Sequence, residues 1–241
     1  MQKPEFWQIP AISAAQSAHL PALEASLAER LRTIAARFPD AVFASSLAVE
    51  DMVVTDLIGR LQLPLAIITL DTGKLHSETE ALIRATAEHY TINIRIYRPD
   101  AEAAAQFEHE HGMASIYENV ERRKQCCHIR KIEPLNRALA AAPAWLTGQR
   151  RSQSSTRSEL AFEEHDGARN IAKFNPIFDW EEADVWAYAL HHQVPLNGLY
   201  RQGCPSIGCE PCTRPVKLGE DIRAGRWWWE NQNSKECGLH K

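Results

Sequence analysis

Six cysteines, at positions 126, 127, 204, 209, 212 and 237, are the residues of this 241-residue chain whose type and spacing speak most directly of chemistry. None precedes residue 126, so they cannot staple a whole fold, and the chain is too long and too cysteine-poor for a disulfide scaffold. Four of them form two close pairs, Cys126-Cys127 and Cys209-Glu210-Pro211-Cys212. Four thiolates suit a structural zinc ion or an iron–sulfur cluster. Zinc sites usually space their cysteines about two to four residues apart, so that both side chains converge on one ion. Adjacent cysteines point apart, which suits two irons of a cubane better than a single metal. The pairing therefore favours a [4Fe–4S] cluster on Cys126, Cys127, Cys209 and Cys212. A redox Cys-x-x-Cys is the other rival; it should open a helix, whereas Pro211 is followed by Thr213-Arg214-Pro215 with no helical period.

Cys237 stands apart, with Lys235 before it and Gly238 and His240 after it. Nearby cations favour a thiolate over a free thiol of pKa about 8.5, so a tail thiol in this company reads as activated. Cys204 has no such neighbours and reads as a buried or spare thiol. Positive charge follows the cysteines. Residues 121–157 carry nine Lys/Arg against two acids and residues 201–241 carry seven against five, leaving −13 elsewhere within a net charge of −4. A basic block coinciding with a thiol constellation points to an anionic substrate.

The elements that must position these residues follow from periodicity. Leu20, Leu23, Leu27, Leu31, Ile34 and Phe38 recur at three- and four-residue spacing, predicting an amphipathic helix over 12–38 that ends at Pro39. Short β-rich runs then alternate with helical patterns. AVFAS (41–45) precedes a helix over 50–61, and LAIITL (65–70) precedes one over 77–89 that Ser77 and Glu80 should open as a capping box. INIRIY (92–97) is followed by a helix over 100–111. AWLTG (144–148) reads as another strand, FNPIF (174–178) as a continuation of the sheet, and Asp179 with Glu182 as the cap of a helix through His191. This alternation argues for βαβ units and an α/β fold with a doubly wound, mostly parallel sheet. Ligands of such sheets bind beyond the carboxyl ends of the strands. Those ends carry Ser45-Ser46, Asp71-Thr72-Gly73 and Gly148-Gln149-Arg150-Arg151. Periodicity fades near residue 192, and the turn-rich tail is expected to fold over the sheet edge as a lid. The chain thus divides into a helical segment (1–39), a nucleotide-binding α/β domain (40–200) and a tail (201–241).

Composition limits the alternatives. Hydrophobic residues at 44% and charged residues at 24% are ordinary for a globular chain. The longest apolar stretch, LPLAIITL (63–70), is far short of the roughly 20 residues that span a bilayer. The opening MQKPEFWQIP has no basic segment leading into an apolar run, so a cytoplasmic protein is expected.

Several motifs together resemble one family. CCHIRKIEPL (126–135), WLTGQRRSQSSTR (145–157), SIGCEPCTRP (206–215), GRWWWE (225–230) and KECGLH (235–240) closely resemble the assimilatory adenylylsulfate reductases, as do SSLAVEDMV (45–53) and LDTGKLHSET (70–79). The resemblance implies an adenine nucleotide alpha hydrolase-like fold and a [4Fe–4S] cluster on the four paired cysteines. It also implies reduction of adenylylsulfate to sulfite and AMP, with Cys237 as the nucleophile that becomes an S-sulfocysteine. Thioredoxin, or a glutaredoxin-like dithiol, would then release sulfite. By motif, Lys131, Arg157, Arg223, Arg226 and His240 would bind the phosphosulfate, Ser45 would serve the phosphate loop, and Leu70 and Gly148 would border the adenosine. Related phosphoadenylylsulfate reductases generally lack the four cluster cysteines, so adenylylsulfate is the expected substrate. The 3′-phosphorylated nucleotide is the alternative within the class. Leu47-Ala48-Val49 stands where a glycine-bearing loop is commoner, and Cys204 where an aromatic residue is frequent. A zinc-bearing tRNA-modifying or RNA-binding protein is the rival from another class. The acidic remainder of the chain and the tail thiol argue against nucleic acid. The sequence implies no membrane partner and is compatible with a homo-oligomer.

Overall fold

A computed structural model describes residues 5–153 and 157–230. Six strands form one sheet: β1 (Val42–Ala44), β2 (Ala66–Leu70), β3 (Ile94–Tyr97), β4 (Ala144–Leu146), β5 (Glu163–Asp166) and β6 (Ile171–Phe174), in the order β3-β2-β1-β4-β6-β5. All pairings are parallel except β5 with β6. The chain winds outward from β1 through β2 to β3 and then returns to the other side of β1 as β4. That reversal between β1 and β4 is the topological switch point, where open α/β sheets leave a crevice for ligands.

Side-chain alternation along the short strands supplies both faces of the core. Phe43, Ile67 and Leu146 join a large cluster with Leu27 and Leu31 of α1 (Ala14–Arg37), Val53 and Leu57 of α2 (Val49–Arg60), Leu82 and Ile83 of α3 (Ser77–Tyr90), and Val185 and Trp186 of a later helix, Glu182–His191. Their strand neighbours Val42, Ile68 and Trp145 face the other way, against Leu135 and Leu139. Those two leucines lie on Glu133–Leu139, the last part of a helical stretch that begins with Val120–Cys127 and widens into a π-helical turn over His128–Ile132. In chain order, Ala101–His111 is α4, Val120–Cys127 α5, Glu133–Leu139 α6 and Glu182–His191 α7.

Three local expectations are corrected. The 77–89 helix begins at Ser77 as expected, but His76 holds the extended cap position and the amides of Thr79 and Glu80 donate to its carbonyl, so no capping box forms at Ser77. The last helix is capped by Glu181 with Asp184, because Asp179 is occupied by two hydrogen bonds from Arg30 at 2.7 and 2.6 Å. Of FNPIF only Phe174 is in a strand. The next residue, Asn175, turns its side chain to Thr147, Ala161 and Glu164, tying down the loops instead of extending the sheet.

The described part of the tail is held by turns and isolated bridges. Thr213 pairs with Arg226 and Lys217 with Phe6, while the Trp227 amide donates to the Cys212 carbonyl. Residues 205–209, 222–223 and 226–227 form one wall of a cleft beyond the strand ends.

Candidate active site

The cleft opens at the carboxyl ends of β1, β2 and β4 and encloses about 280 Å³. Ala44, Ile68, Leu70, Leu135 and Trp145 give it an apolar floor, and Lys131, Arg157, Arg223 and Arg226 bring cations to it. Of the expected substrate-binding residues, Ser45, Leu70, Lys131, Gly148, Arg157, Arg223 and Arg226 all line this one space. His240 and the expected nucleophile Cys237 lie outside the described residues.

Local geometry explains how the loops are built. The Ser45 amide donates to Ile68 O at 2.9 Å, and its buried hydroxyl accepts from the Leu47 amide at 3.2 Å. Leu47 adopts φ 63°, the left-handed conformation that L side chains seldom take. The loop therefore keeps the turn a glycine would favour, with the leucine side chain buried in the core as compensation. Gly148 has a different requirement. A Cβ there would sit 2.2 Å from Asp51 Oδ1, so only glycine lets the two loops approach so closely.

Arg226 is the most informative cation. It is 6% exposed, its guanidinium lies 4.7 Å from the Trp227 ring centroid, and its Nη1 is buried without a hydrogen-bond partner among the described residues. A Cβ on Gly208 would fall 1.4 Å from that Nη1, so the guanidinium lies directly on the glycine backbone. A buried, unpaired guanidinium N–H is costly unless an anion completes it.

A second, smaller cavity adjoins the first. It is lined by Cys126, Cys127, Cys209 and Cys212, and Lys131, Cys209 and Trp227 line both cavities. All four thiols are free of disulfides, and three are buried. Burial and the neighbouring Cys127 push Cys126 up to about 11, and burial with Cys209 pushes Cys212 up to about 12. Cys209 is the opposite case: burial works against its thiolate, but Lys131, the Thr72 hydroxyl at 3.3 Å, Arg226 and Arg130 outweigh it and pull its pKa below the ordinary value. Four thiols facing one cationic cavity fit a group that binds thiolates. Among the described residues, no three His, Cys, Asp or Glu side chains are gathered as a site for a single metal ion. Cys204 is buried but lines neither cavity.

The residues missed from the sequence are polar supports. Arg130 donates to Thr72 O at 2.8 Å and to Glu108 beside the cysteine cavity. Glu50 accepts from Arg150 at 2.8 Å and Gln153 at 2.9 Å, and Gln153 in turn accepts from Arg157. The two acids opening α2, Glu50-Asp51, were the available signal.

The strand order, the reversal at β1/β4 and the cation-bearing cleft beyond it define an α/β protein with a doubly wound, mostly parallel sheet and a cleft suited to an anion at its switch point. Comparison with known proteins narrows this. The family model described as phosphoadenosine phosphosulfate reductase domain matches residues 40–215. An adenosine 5′-phosphosulfate reductase of Neisseria meningitidis serogroup B is 58% identical over 99% of this chain and 98% of its own length. One from Allochromatium vinosum is 50% identical, covering 92% of this chain and 87% of its own. Among solved structures, a phosphoadenylyl-sulfate reductase of Candida auris in a phosphate complex superposes with a TM-score of 0.69 at 30% identity, covering 85% of this chain and 99% of that one. Yeast FAD synthetase, at 14% identity and TM-score 0.57, shares the fold alone. The chain belongs to the phosphoadenosine phosphosulfate reductase family.

Proposed function

We propose that this chain reduces adenosine 5′-phosphosulfate to sulfite and AMP in assimilatory sulfate reduction. The observation that carries this reading is the buried Nη1 of Arg226, unpartnered among the described residues, in a cleft that also gathers Lys131, Arg157 and Arg223. Such an array suits a phosphosulfate, whose charges repel an incoming thiolate unless cations offset them. The apolar floor around Leu70 and Trp145 suits an adenine ring.

In this reading the Cys237 thiolate attacks the sulfate sulfur. The S–O bond to the phosphate breaks, AMP leaves with the bonding electrons, and Cys237 carries an S-sulfo group. A thiolate of a dithiol protein such as thioredoxin then attacks the Cys237 sulfur and expels sulfite. The second thiol of that partner closes its disulfide and returns Cys237 to the thiol form, so the partner supplies both electrons. Lys131, Arg157, Arg223, Arg226 and His240 hold the phosphosulfate and Ser45 serves the phosphate loop, while Leu70 and Gly148 border the adenosine. Cys126, Cys127, Cys209 and Cys212 would hold a [4Fe–4S] cluster, supported by the four-thiol donor set and its adjacent pair. When bound, the cluster supplies a fixed charge to a cavity that Lys131 also lines and links the tail to α5. Segments 1–39, 40–200 and 201–241 are proposed to act as support, nucleotide site and lid.

The deciding experiment is trapping. Protein mixed with adenosine 5′-phosphosulfate and no reductant should gain one sulfonate on Cys237 by peptide mass spectrometry, and thioredoxin should remove it as sulfite. An adduct elsewhere, or none, would sink the mechanism. Competition with the 3′-phosphorylated nucleotide measures the preference between the two substrates.

A further inference from the structure

Two carboxylates line the cleft without a role in that chemistry. Glu50 is held by Arg150 and Gln153. Asp51, 7% exposed, has no ion pair among the described residues. Its Oδ2 accepts from the Ser46 amide at 2.6 Å and the Ser46 hydroxyl at 2.5 Å, and its Oδ1 lies against Gly148, where an added Cβ would come within 2.2 Å of it. Ser46 follows β1 and Gly148 follows β4, so one carboxylate ties the loops on the two sides of the switch point. Gly148 supplies the close approach that makes the tie reachable.

We propose that Asp51 is a positioning residue for the nucleotide, holding the Ser46 and Gly148 loops at their binding separation through a carboxylate that accepts from Ser46 and packs directly on Gly148. The proposal rests on the nucleotide reading of the cleft and adds to it a condition on charge. Two Ser46 donors converge on Asp51 Oδ2, and a carboxyl protonated there would turn an O–H towards one of them and release it. Burial raises the Asp51 pKa to about 6, against the pull of the Ser46 hydrogen bonds. Two other titratable groups face it. Glu50 precedes it on α2 and is paired with Arg150. Tyr200, whose hydroxyl accepts from the Val49 amide at 2.8 Å, is held neutral by burial and the nearby carboxylates. No histidine lines the cleft among the described residues. As pH falls through about 6, Asp51 protonates, its hold on the Ser46 loop weakens and nucleotide affinity drops.

The test is calorimetric titration with adenosine 5′-methylphosphate, a diester whose single charge does not change between about pH 5 and 8. The parent protein should bind about tenfold more weakly near pH 5 than near pH 7.5, the scale of one lost buried hydrogen bond. Asp51→Asn should bind about tenfold more weakly near pH 7.5 and show a flat profile. Ser46→Ala removes a donor that favours the carboxylate, so its midpoint should move to higher pH. A purely structural aspartate would change melting temperature without moving this profile. Equal affinity and equal pH dependence in Asp51→Asn and parent would overturn the proposal. If Asp51→Asn does not fold, a parent affinity independent of pH, or an unmoved midpoint in Ser46→Ala, overturns it just as well. Failure of the parent to bind the probe at any pH would instead remove the nucleotide reading beneath it.

Discussion

Arg123 and Glu230 form a doubly hydrogen-bonded ion pair, Nε to Oε1 at 2.8 Å and Nη2 to Oε2 at 2.7 Å, with side chains 1% and 3% exposed. The guanidinium also lies 4.6 Å from the centroid of Trp227. The pair fastens the described end of the tail to α5, the helix that carries Cys126 and Cys127. Removing one partner of a buried ion pair costs about 3–5 kcal/mol. Glu230→Gln should lower the unfolding free energy by about that amount in denaturant melts. Replacing both residues by methionine should recover most of the loss; if the double variant is as unstable as the single, the charge argument is wrong.

The cysteines should sort by iron. Serine at Cys126, Cys127, Cys209 or Cys212 should strip most iron and acid-labile sulfide from the purified protein, while Cys204→Ser keeps about four of each per chain. One zinc per chain and no sulfide would replace the cluster with a structural ion.

Gly208 is expected to be as sensitive as a ligand although it binds nothing through a side chain. Gly208→Ala must displace the Arg226 guanidinium, whose Nη1 lies where the new methyl would go. Loss of a charge-assisted contact to the phosphosulfate is worth about 1.5–3 kcal/mol, so kcat/KM should fall by roughly ten- to a hundredfold. Arg226→Lys should not restore it, because a point charge lacks the planar fork. An alanine variant with parental kcat/KM would place Arg226 outside the substrate contacts.

Asp51 also carries a stability consequence of definite sign. Its carboxyl is raised from 3.8 to about 6, chiefly by burial. Between those values the unfolded chain is ionised while the folded one holds the proton, so stability rises as pH falls from about 6 towards 4. Keeping the charge buried at neutral pH costs up to about 3 kcal/mol. Asp51→Asn should therefore flatten the pH dependence of the melting temperature between about pH 4 and 7. Parallel curves for variant and parent would contradict that pKa.

Much of the frame was legible because it rests on local pattern. Alternating β-rich runs and helical periods located β1 to β4 and most helices, and the Ser, Asp and Gly clusters after them marked the loops that do meet at the cleft. Glu163–Asp166 was hidden, because a charged edge hairpin strand has no apolar alternation. Val120–Leu139 was equally quiet, its face broken by five charges before Lys131 and by Pro134. Within the site, residue types announced the thiols and cations. Their supports did not, since Asp51 reaching Gly148 or Glu230 reaching Arg123 is a fact of tertiary folding across roughly a hundred residues.

Lys131, Cys209 and Trp227 line both the nucleotide cleft and the cysteine cavity, so the partition between the two is a single layer of side chains. Charge introduced on one side is felt on the other with almost no water to screen it. By reciprocity, whatever factor an occupant of the cysteine cavity adds to nucleotide affinity, bound nucleotide returns as the same factor in retention of that occupant. Loading of the proposed sulfur centre and binding of the proposed nucleotide would then be one coupled equilibrium, and a chain emptied of either would hold the other less well or better by the same measure.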